Sequence, residues 1–512
     1  MIRDLVFKKN IVNRSKKIIL SKSKYIAGLQ CLKYMWYLAN ARDKVQKPDF
    51  STRFMFQQGR IVGEYAKKLF PDGTSPGRLK NTRKQCIRTA ELLSERKPIF
   101  EATVSKDNLL SRADILKPAP ENTWDIIEVK SATHFKEEYL HDVAFQKYTF
   151  LRAGVKINNC YLAIISNQHK KQGRIDPEKL FNIRDISEEA DEKMTAIPER
   201  VKKMLSILQK PVPPDIKIGR HCDNPYTCPL KEKCWKLMPE NHVFNLYGNK
   251  DRALDLYEKG IYSIEEIPEG YSLSLKQEIQ RQCAATKRPS IDRGQISAFL
   301  DKLIEPIYFF DFETYSTALP IYDGTKPFQK IPFQYSIHVL EDLYGKPVHH
   351  DFLASGDGDP RRELLENLRN HLGNSGSIIV YYEFFEKGIL NELADDFPEY
   401  ANWVQLILPR IVDLFRPFRD FYYYNSAQKG SASVKNVLPA ITDYSYKEMD
   451  IADGLSASVY FLYACGHYKI GERSPTPEEV EKIRRDLITY CRMDTGGMIH
   501  ILRGLKEALS HG

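Results

Sequence analysis

The sequence has no apolar run long enough to cross a bilayer, which argues against a membrane-spanning helix. Its basic opening, MIRDLVFKKNIVNRSKKIIL, has neither an apolar h-region nor a small-residue cleavage site, so a secretory signal is not expected and a cytoplasmic location is. No Walker A pattern occurs, which argues against a built-in helicase motor. No repeat or low-complexity tract is present either. Cysteine is sparse: nine residues, an odd number, lie scattered over 512 positions, unlike the framework of a small disulfide-stapled secreted protein.

What is present is an ordinary globular balance, 42% hydrophobic and 28% charged, in a chain long enough for two or three cores. The net charge of +9 is unevenly placed. Residues 1–240 hold 46 Lys and Arg against 28 Asp and Glu; residues 241–512 hold 30 against 39. A basic half of this size suits a polyanionic partner, because each phosphate contact releases counterions; a merely solvated basic surface is the plainer alternative.

Helical spacing of Tyr25, Leu29, Leu32 and Trp36 predicts one helix over residues 23–39, with Cys31 near one face. FEATV, LLSRADIL and WDIIEVK read as strands, the last two joined by a KPAPENT loop. Residues 141–152 and 178–208 read as helices, and 241–300 as a helical connector with a helix-hairpin-helix flavour. Further strands are expected at IYFFDF, SIIVYY and RIVDLF. The last helix has a legible start: Thr476 as N-cap, Pro477 in the first turn and Glu479 completing a capping box. Its stripe runs Val480, Ile483, Leu487, Tyr490 and Met498, with Asp494 falling on it.

Three constellations carry chemistry. In the first, Asp114 lies on one strand, and Glu128 and Lys130, two apart, share a face of the next. Two carboxylates and a lysine suit a divalent cation and an attacking water, although an edge strand with exposed charges gives the same pattern. With Gln146 on the following helix, the set resembles the RecB-like branch of the PD-(D/E)XK nucleases. That resemblance implies catalytic roles for Asp114, Glu128, Lys130 and Gln146 and cation binding by Asp114 and Glu128. The tyrosine of Gln146-Lys147-Tyr148 comes two residues earlier than in the branch, and Glu64 stands near the position of an upstream metal-binding histidine.

The second constellation is Cys222, Cys228 and Cys234, three thiols within thirteen residues. Thiols so close in sequence favour metal, yet the C-x-x-C pair usual for zinc is missing. Cys31 is the candidate fourth ligand, and His221 the substitute. One cysteine before the nuclease core and three after it resembles the AddB-type and CRISPR-associated iron–sulfur nucleases, which implies a structural [4Fe–4S] cluster; zinc is the alternative. Cys86, Cys160, Cys283, Cys465 and Cys491 are expected in the core.

The third constellation is Asp311 and Glu313 closing the strand IYFFDFET, with Tyr490 and Asp494 one turn apart on the last helix. Acids on core-facing positions need a counter-cation. Asp-x-Glu on a first strand with Tyr-x-x-x-Asp on a last helix resembles the DnaQ-like (DEDD-type) exonucleases of the ribonuclease H-like fold. The resemblance implies cation binding by Asp311, Glu313 and Asp494 and a water-orienting Tyr490. The family's middle aspartate is replaced by Glu386 and its asparagine by Tyr382; Asp413 and Lys435 are expected to be structural.

The expected architecture is therefore α/β and multidomain. A PD-(D/E)XK restriction-endonuclease-like domain occupies 1–240, a helical connector 241–300 and a ribonuclease H-like domain 301–512, an order similar to that of a bacterial protein family. The resemblances imply a Mg²⁺- or Mn²⁺-dependent nuclease acting on DNA ends or single strands, with a separate helicase or defence partner possible. A catalytically degenerate nucleic-acid scaffold and an RNA-processing exonuclease run by the C-terminal domain alone remain open.

Overall fold

The computed structural model describes residues 18–77, 81–446, 449–451, 453–470 and 473–510; the basic stretch 1–17 lies outside them. The protein is a mixed α/β, multi-sheet chain with two compact units. One comprises Met1–Lys236 with Thr317–Phe328, the other Leu237–Ser316 with Gln329–Gly512. The connector predicted over 241–300 thus groups with the C-terminal unit, while 317–328, inside the predicted C-terminal domain, groups with the first. Among the described residues no helix is long and apolar enough to cross a membrane.

The N-terminal unit opens with two short helices, α1 (Lys22–Gln30) and α2 (Leu32–Asn40). The single helix predicted over 23–39 is broken at Cys31, whose φ of −157° and ψ of 119° are extended; one residue outside helical geometry turns the chain and lifts the thiol out of both helix faces. Next come α3 (Phe50–Ala66) and α4 (Thr82–Leu92). The sheet strands are β1 (Ile99–Lys106), β2 (Leu109–Ala119) and β3 (Thr123–Lys130), followed by α5 (Glu137–Arg152) and β4 (Ile157–Ile165).

β2 runs antiparallel to β1 and β3, and β3 parallel to β4 across α5. The β2–β3 connection is tighter than the predicted KPAPENT loop: β2 continues through Ala119. Glu121 and Asn122 then take left-handed φ of 53° and 55°, closed by Thr123 N donating to Pro120 O. Two successive positive φ values make the kind of turn that matches strand twist. Along β3 the pleat sorts the residues: Trp124 and Ile126 pack in the cluster that holds Leu140 and Val143 of α5, and Ile127 in the cluster that holds Val62 of α3. Glu128 and Lys130 continue the α5-facing row.

The long helix predicted over 178–208 is interrupted. β5 (Phe181–Asp185) pairs antiparallel with β4, and only then do α6 (Ser187–Met194) and α7 (Ile197–Leu208) follow. Pairing with the open edge of β4 overrides a composition with no strong strand signal.

In the C-terminal unit, α8 (Asp251–Glu258), α9 (Leu275–Thr286) and α10 (Arg293–Leu300) precede a five-stranded sheet. Its strands are β6 (Ile307–Tyr315), β7 (Ile331–Leu340), β8 (Val348–Leu353), β9 (Ile378–Val380) and β10 (Ile411–Asp413). The order is β8-β7-β6-β9-β10; the first three run antiparallel and β9 and β10 parallel to β6. β6 is therefore the middle strand, its Phe309 buried, as are Phe333 and Tyr335 of β7 and Ile378 of β9. Among the helices that follow in this unit are α11 (Glu383–Asp396), α12 (Gly454–Ala464) and α13 (Pro477–Ser510). At the start of α13, Thr476 N donates to Glu479 Oε2 at 2.9 Å and Glu479 N to Thr476 Oγ1 at 3.3 Å, the reciprocal capping box.

Candidate functional site

In the N-terminal unit the structure brings Glu128, Lys130 and Gln146 into one hydrogen-bonded group. Lys130 Nζ donates to Glu128 Oε1 at 2.8 Å, and Gln146 Nε2 to Glu128 Oε2 at 2.6 Å. Asp114 stands beside them, its Oδ2 accepting from Val129 N at 2.8 Å. Two members were not foreseen. Lys22, at the start of α1, donates to Glu128 Oε1 at 2.8 Å, and Lys130 also pairs with Asp142. Asp142 lies four residues before Gln146 on α5, a spacing visible in the sequence; Lys22 is 106 residues from Glu128 and gave no signal.

Charge follows this arrangement. Burial by itself would raise the Glu128 carboxyl, but the ammonium groups of Lys130 and Lys22 outweigh it and hold the group well below the usual range. Burial would lower Lys130, and Glu128 and Asp142 instead raise it. Asp114, desolvated and facing Glu128, is pushed up to about 7. Glu64 does not join: its side chain is 60% exposed and pairs with Lys67 at 2.8 Å. The Glu64 carboxylate on α3 thus meets solvent and a neighbour one turn on.

The four predicted cysteines line one pocket, with Lys33, Ile218 and His221. Cys222 closes a short 3₁₀ turn, Cys228 N donates to Cys222 O at 2.8 Å, and Cys234 lies on the helix Lys231–Trp235. Gln30, next to Cys31, ties this loop to α1 by donating to His221 O at 2.9 Å and Tyr226 O at 2.6 Å. Burial raises the Cys228 thiol to about 11, with Cys31, Cys222 and Cys234 each adding to the shift. His221 Nε2 is 3.8 Å from Cys222 Sγ. Among the described residues, the set of three ligating side chains with atoms within 4.8 Å of one another is Asp311, Glu313 and Cys491; the cysteine quartet is more open.

That acidic set lies in the C-terminal unit. Asp311 and Glu313 project from one face of β6, and Tyr490, Cys491 and Asp494 come from α13. Glu386, one turn into α11, is 1% exposed; its Oε2 has no hydrogen-bond partner, and after burial Asp311 is the largest influence raising its carboxyl. Burial and Asp494 raise Asp311 well above the ordinary range; burial, Asp311 and Asp494 do the same to Glu313. Asp494 is raised by burial to about 6, tempered by hydrogen bonds from Tyr446 and Tyr490 and by the charge of Lys435. Tyr446 Oη donates to Asp494 Oδ1 at 2.7 Å. Gly454 leaves room for Glu313: a Cβ there would lie 3.3 Å from Glu313 Oε2.

Two neighbours of the acids stand out. The Lys435 ammonium acts on Glu313 and Asp494 and lies 5.9 Å from the Tyr490 ring centroid. Cys491 is buried as expected, but its Sγ sits 3.9 Å from Asp311 Oδ2. The sequence did hold that signal: 487, 490, 491, 494 and 498 make one helical stripe. Asp413 accepts from Tyr382 N at 2.9 Å and Phe415 N at 3.0 Å, fixing the chain before α11. Tyr382 takes φ of 91° there, a conformation costly for a bulky residue.

Residues 308–433 match a family model described as a domain of unknown function (DUF2779). The match includes Asp311, Glu313 and Glu386 and stops before Tyr490 and Asp494. Two relatives are similar to part of the chain: the uncharacterized protein MG366 homolog of Mycoplasma pneumoniae, 32% identical over 230 residues, and the uncharacterized protein UU173 of Ureaplasma parvum serovar 3, 25% identical over 239. Each alignment covers 41% of this chain, and 33% and 32% of the respective relatives. The chain spans about a third of the length of the curated relatives it matches.

Proposed function

We propose that the protein is a divalent-cation-dependent nuclease that hydrolyses phosphodiester bonds, with DNA ends or single strands as substrate. The observation that carries this reading is the cluster of Asp311, Glu313, Glu386 and Asp494. Burial raises the pKa of all four carboxylates, and repulsion by neighbouring acids adds to it at Asp311, Glu313 and Glu386, against the opposing charge of Lys435 on Glu313 and Asp494 and of Lys330 on Glu386. Such a group ionises completely at neutral pH only with further positive charge. The partnerless Glu386 Oε2 is a donor atom available to it.

Asp311, Glu313 and Asp494 would hold Mg²⁺ or Mn²⁺, with Glu386 as a further ligand. Cations bound there neutralise the developing charge of phosphodiester hydrolysis and make water a better nucleophile. Tyr490, kept protonated by burial and the surrounding acids, orients the attacking water through its phenol. Tyr446 fixes the carboxylate of Asp494, and Gly454 keeps Glu313 free to turn. An Asp-x-Glu middle strand crossed by a last helix carrying Tyr-x-x-x-Asp supports a ribonuclease H-like exonuclease fold for this unit.

The N-terminal unit supports a RecB-like PD-(D/E)XK reading through Asp114, Glu128, Lys130 and Gln146 on a mixed sheet. Its cysteine quartet supports a [4Fe–4S] cluster over zinc. Thiolates sharing one zinc at about 2.3 Å sit about 3.8 Å apart, whereas a four-iron cluster gives each thiolate its own iron and spreads them. The cluster would clamp α1 and α2 to the loop after the core, a role without chemistry. Excess positive charge in residues 1–240 supports a nucleic-acid partner. A second reading, catalysis by the C-terminal unit alone, draws on the saturation of Glu128, whose two oxygens already accept from two lysines and Gln146.

The test is cleavage of end-labelled single- and double-stranded DNA and RNA with Mn²⁺. Anaerobically purified wild type runs beside Lys130→Ala and Asp311→Ala, each with its ultraviolet–visible spectrum. Cleavage of DNA lost in Asp311→Ala supports the main reading. Retention in Lys130→Ala selects the C-terminal unit. No cleavage of any substrate by cluster-bearing protein that still binds DNA would replace the enzyme with a scaffold.

A further inference from the structure

The acidic site of the C-terminal unit contains a thiol. Cys491 follows Tyr490 on α13, is fully buried, and places Sγ 3.9 Å from Asp311 Oδ2. With Glu313 it completes the set of ligating atoms within 4.8 Å of one another. The other buried cysteines outside the quartet differ from Cys491. Cys160 packs among Ile126, Val143 and Leu162 in an apolar core, and the Cys283 thiol donates to Tyr424 O at 3.7 Å. Cys491 instead meets carboxylates, surroundings that a small apolar residue would suit as well if packing were its only task.

We propose that Cys491 is a third-row ligand atom in an otherwise oxygen-lined cation site, so that the site captures thiophilic divalent cations of the Zn²⁺ and Cd²⁺ class through Asp311, Glu313 and Cys491. The inference rests on the reading of the acid cluster as a cation site. A cation bonded to sulfur at about 2.3 Å and oxygen at about 2.1 Å with tetrahedral angles keeps the two atoms about 3.6 Å apart, so a small side-chain rotation closes the observed spacing. An independent pointer to a ligand is Glu386, 99% buried, whose unpartnered Oε2 belongs to the same group of acids as Asp311. Magnesium prefers oxygen and leaves the thiol aside; Zn²⁺ and Cd²⁺ recruit it. On binding, the thiol proton is released to solvent and a sulfur–cation bond forms, with no change of oxidation state. The consequence is a site with two classes of occupant: hard cations that support hydrolysis, and thiophilic cations that displace them and hold the acids in a fixed, inhibited arrangement.

The experiment uses full-length protein, with equal iron content in every preparation so that the cysteine quartet contributes equally. Cd²⁺ is titrated while the thiolate-to-cadmium ultraviolet band is followed, in wild type, Cys491→Ala, Cys491→Ser and Asp311→Asn. Mn²⁺ uptake by wild type and Asp311→Asn is followed by loss of the free-ion paramagnetic resonance signal. We expect one Cd²⁺ step per chain in wild type that is absent from both Cys491 variants, and Zn²⁺ displacing bound Mn²⁺ at concentrations at least about tenfold lower in wild type than in Cys491→Ala. Asp311-dependent Mn²⁺ uptake together with a Cd²⁺ titration identical in wild type and both Cys491 variants overturns the thiol ligand and leaves the cation site standing. Absence of Asp311-dependent uptake of either ion overturns the cation site as well.

Discussion

The two acidic sites solve the problem of buried charge in opposite ways. In the N-terminal unit, Glu128 and Asp142 are met by Lys22 and Lys130, and the carboxylate of Glu128 is held ionised by the chain itself. In the C-terminal unit, Asp311, Glu313, Glu386 and Asp494 crowd together with Lys435 at their margin, and every one is pushed toward the protonated form. In the first site only Asp114 is raised, to about 7; in the second every carboxylate is. The difference teaches that a pair of carboxylates says little until the count of cations around it is known, because Coulomb energy in a desolvated site is several-fold larger than in water.

The largest expected effect falls on the uncompensated site. Asp311→Ala should reduce C-terminal cleavage at least about a thousandfold, roughly 4 kcal/mol of barrier, and the same change should stabilise the chelated protein by relieving repulsion. Loss of activity without any gain in melting temperature under chelation would break the contrast. Next is Lys130→Ala, which strands Asp142 and leaves Glu128 to Lys22. It should cost about 3 kcal/mol in urea denaturation of the N-terminal unit, whereas a loss under about 1 kcal/mol would mean the site is less desolvated than it looks.

The pH profile sharpens the same comparison. Asp494, at about 6 when folded against about 3.9 in an unfolded chain, stabilises the chelated C-terminal unit at low pH. That contribution, about 3 kcal/mol, is present below about pH 4 and lost as pH rises through 6. Asp114, raised to about 7, acts in the same direction in the N-terminal unit. Glu128 acts oppositely: held low, it contributes above about pH 4.3 and that part is lost as the solution is acidified. Unit-resolved hydrogen exchange should therefore show a stability maximum for the N-terminal unit and a continuous rise toward acid for the C-terminal one, flattened by Mn²⁺. Matching profiles would remove the distinction. The smallest effect is expected for Glu64→Gln, within about 0.5 kcal/mol of wild type and with unaltered cleavage; a marked loss of cation affinity would restore Glu64 to the site.

Local signals were readable where the chemistry follows a single element. The row Glu128-x-Lys130, the pair Asp311-x-Glu313 and the stripe from Leu487 to Met498 are consequences of strand and helix periods, and the start of α13 is written in Thr476, Pro477 and Glu479. Cys491 lies on that stripe and was set aside because a buried cysteine usually packs. Glu64 stands near the position of a histidine in the resembled branch, a relation that carries no information about which way an α3 side chain points. The strand Phe181–Asp185 was hidden inside an apparent helix because its stabilising bonds come from the open edge of β4.

By itself, then, the sequence determined which residues could ionise, ligate or donate, and on which face of a strand or helix each would stand, since those follow from bond geometry over a few residues. Tertiary structure decided what surrounds them. It brought Lys22 to Glu128 across 106 residues, broke a helix at Cys31 so that its thiol lines one pocket with three others, seated Ala318 N on Gln58 Oε1 at 2.9 Å, and left Glu386 Oε2 without a hydrogen-bond partner. Charge balance in a buried site is a sum over groups distant in the chain, and only packing fixes which groups enter it.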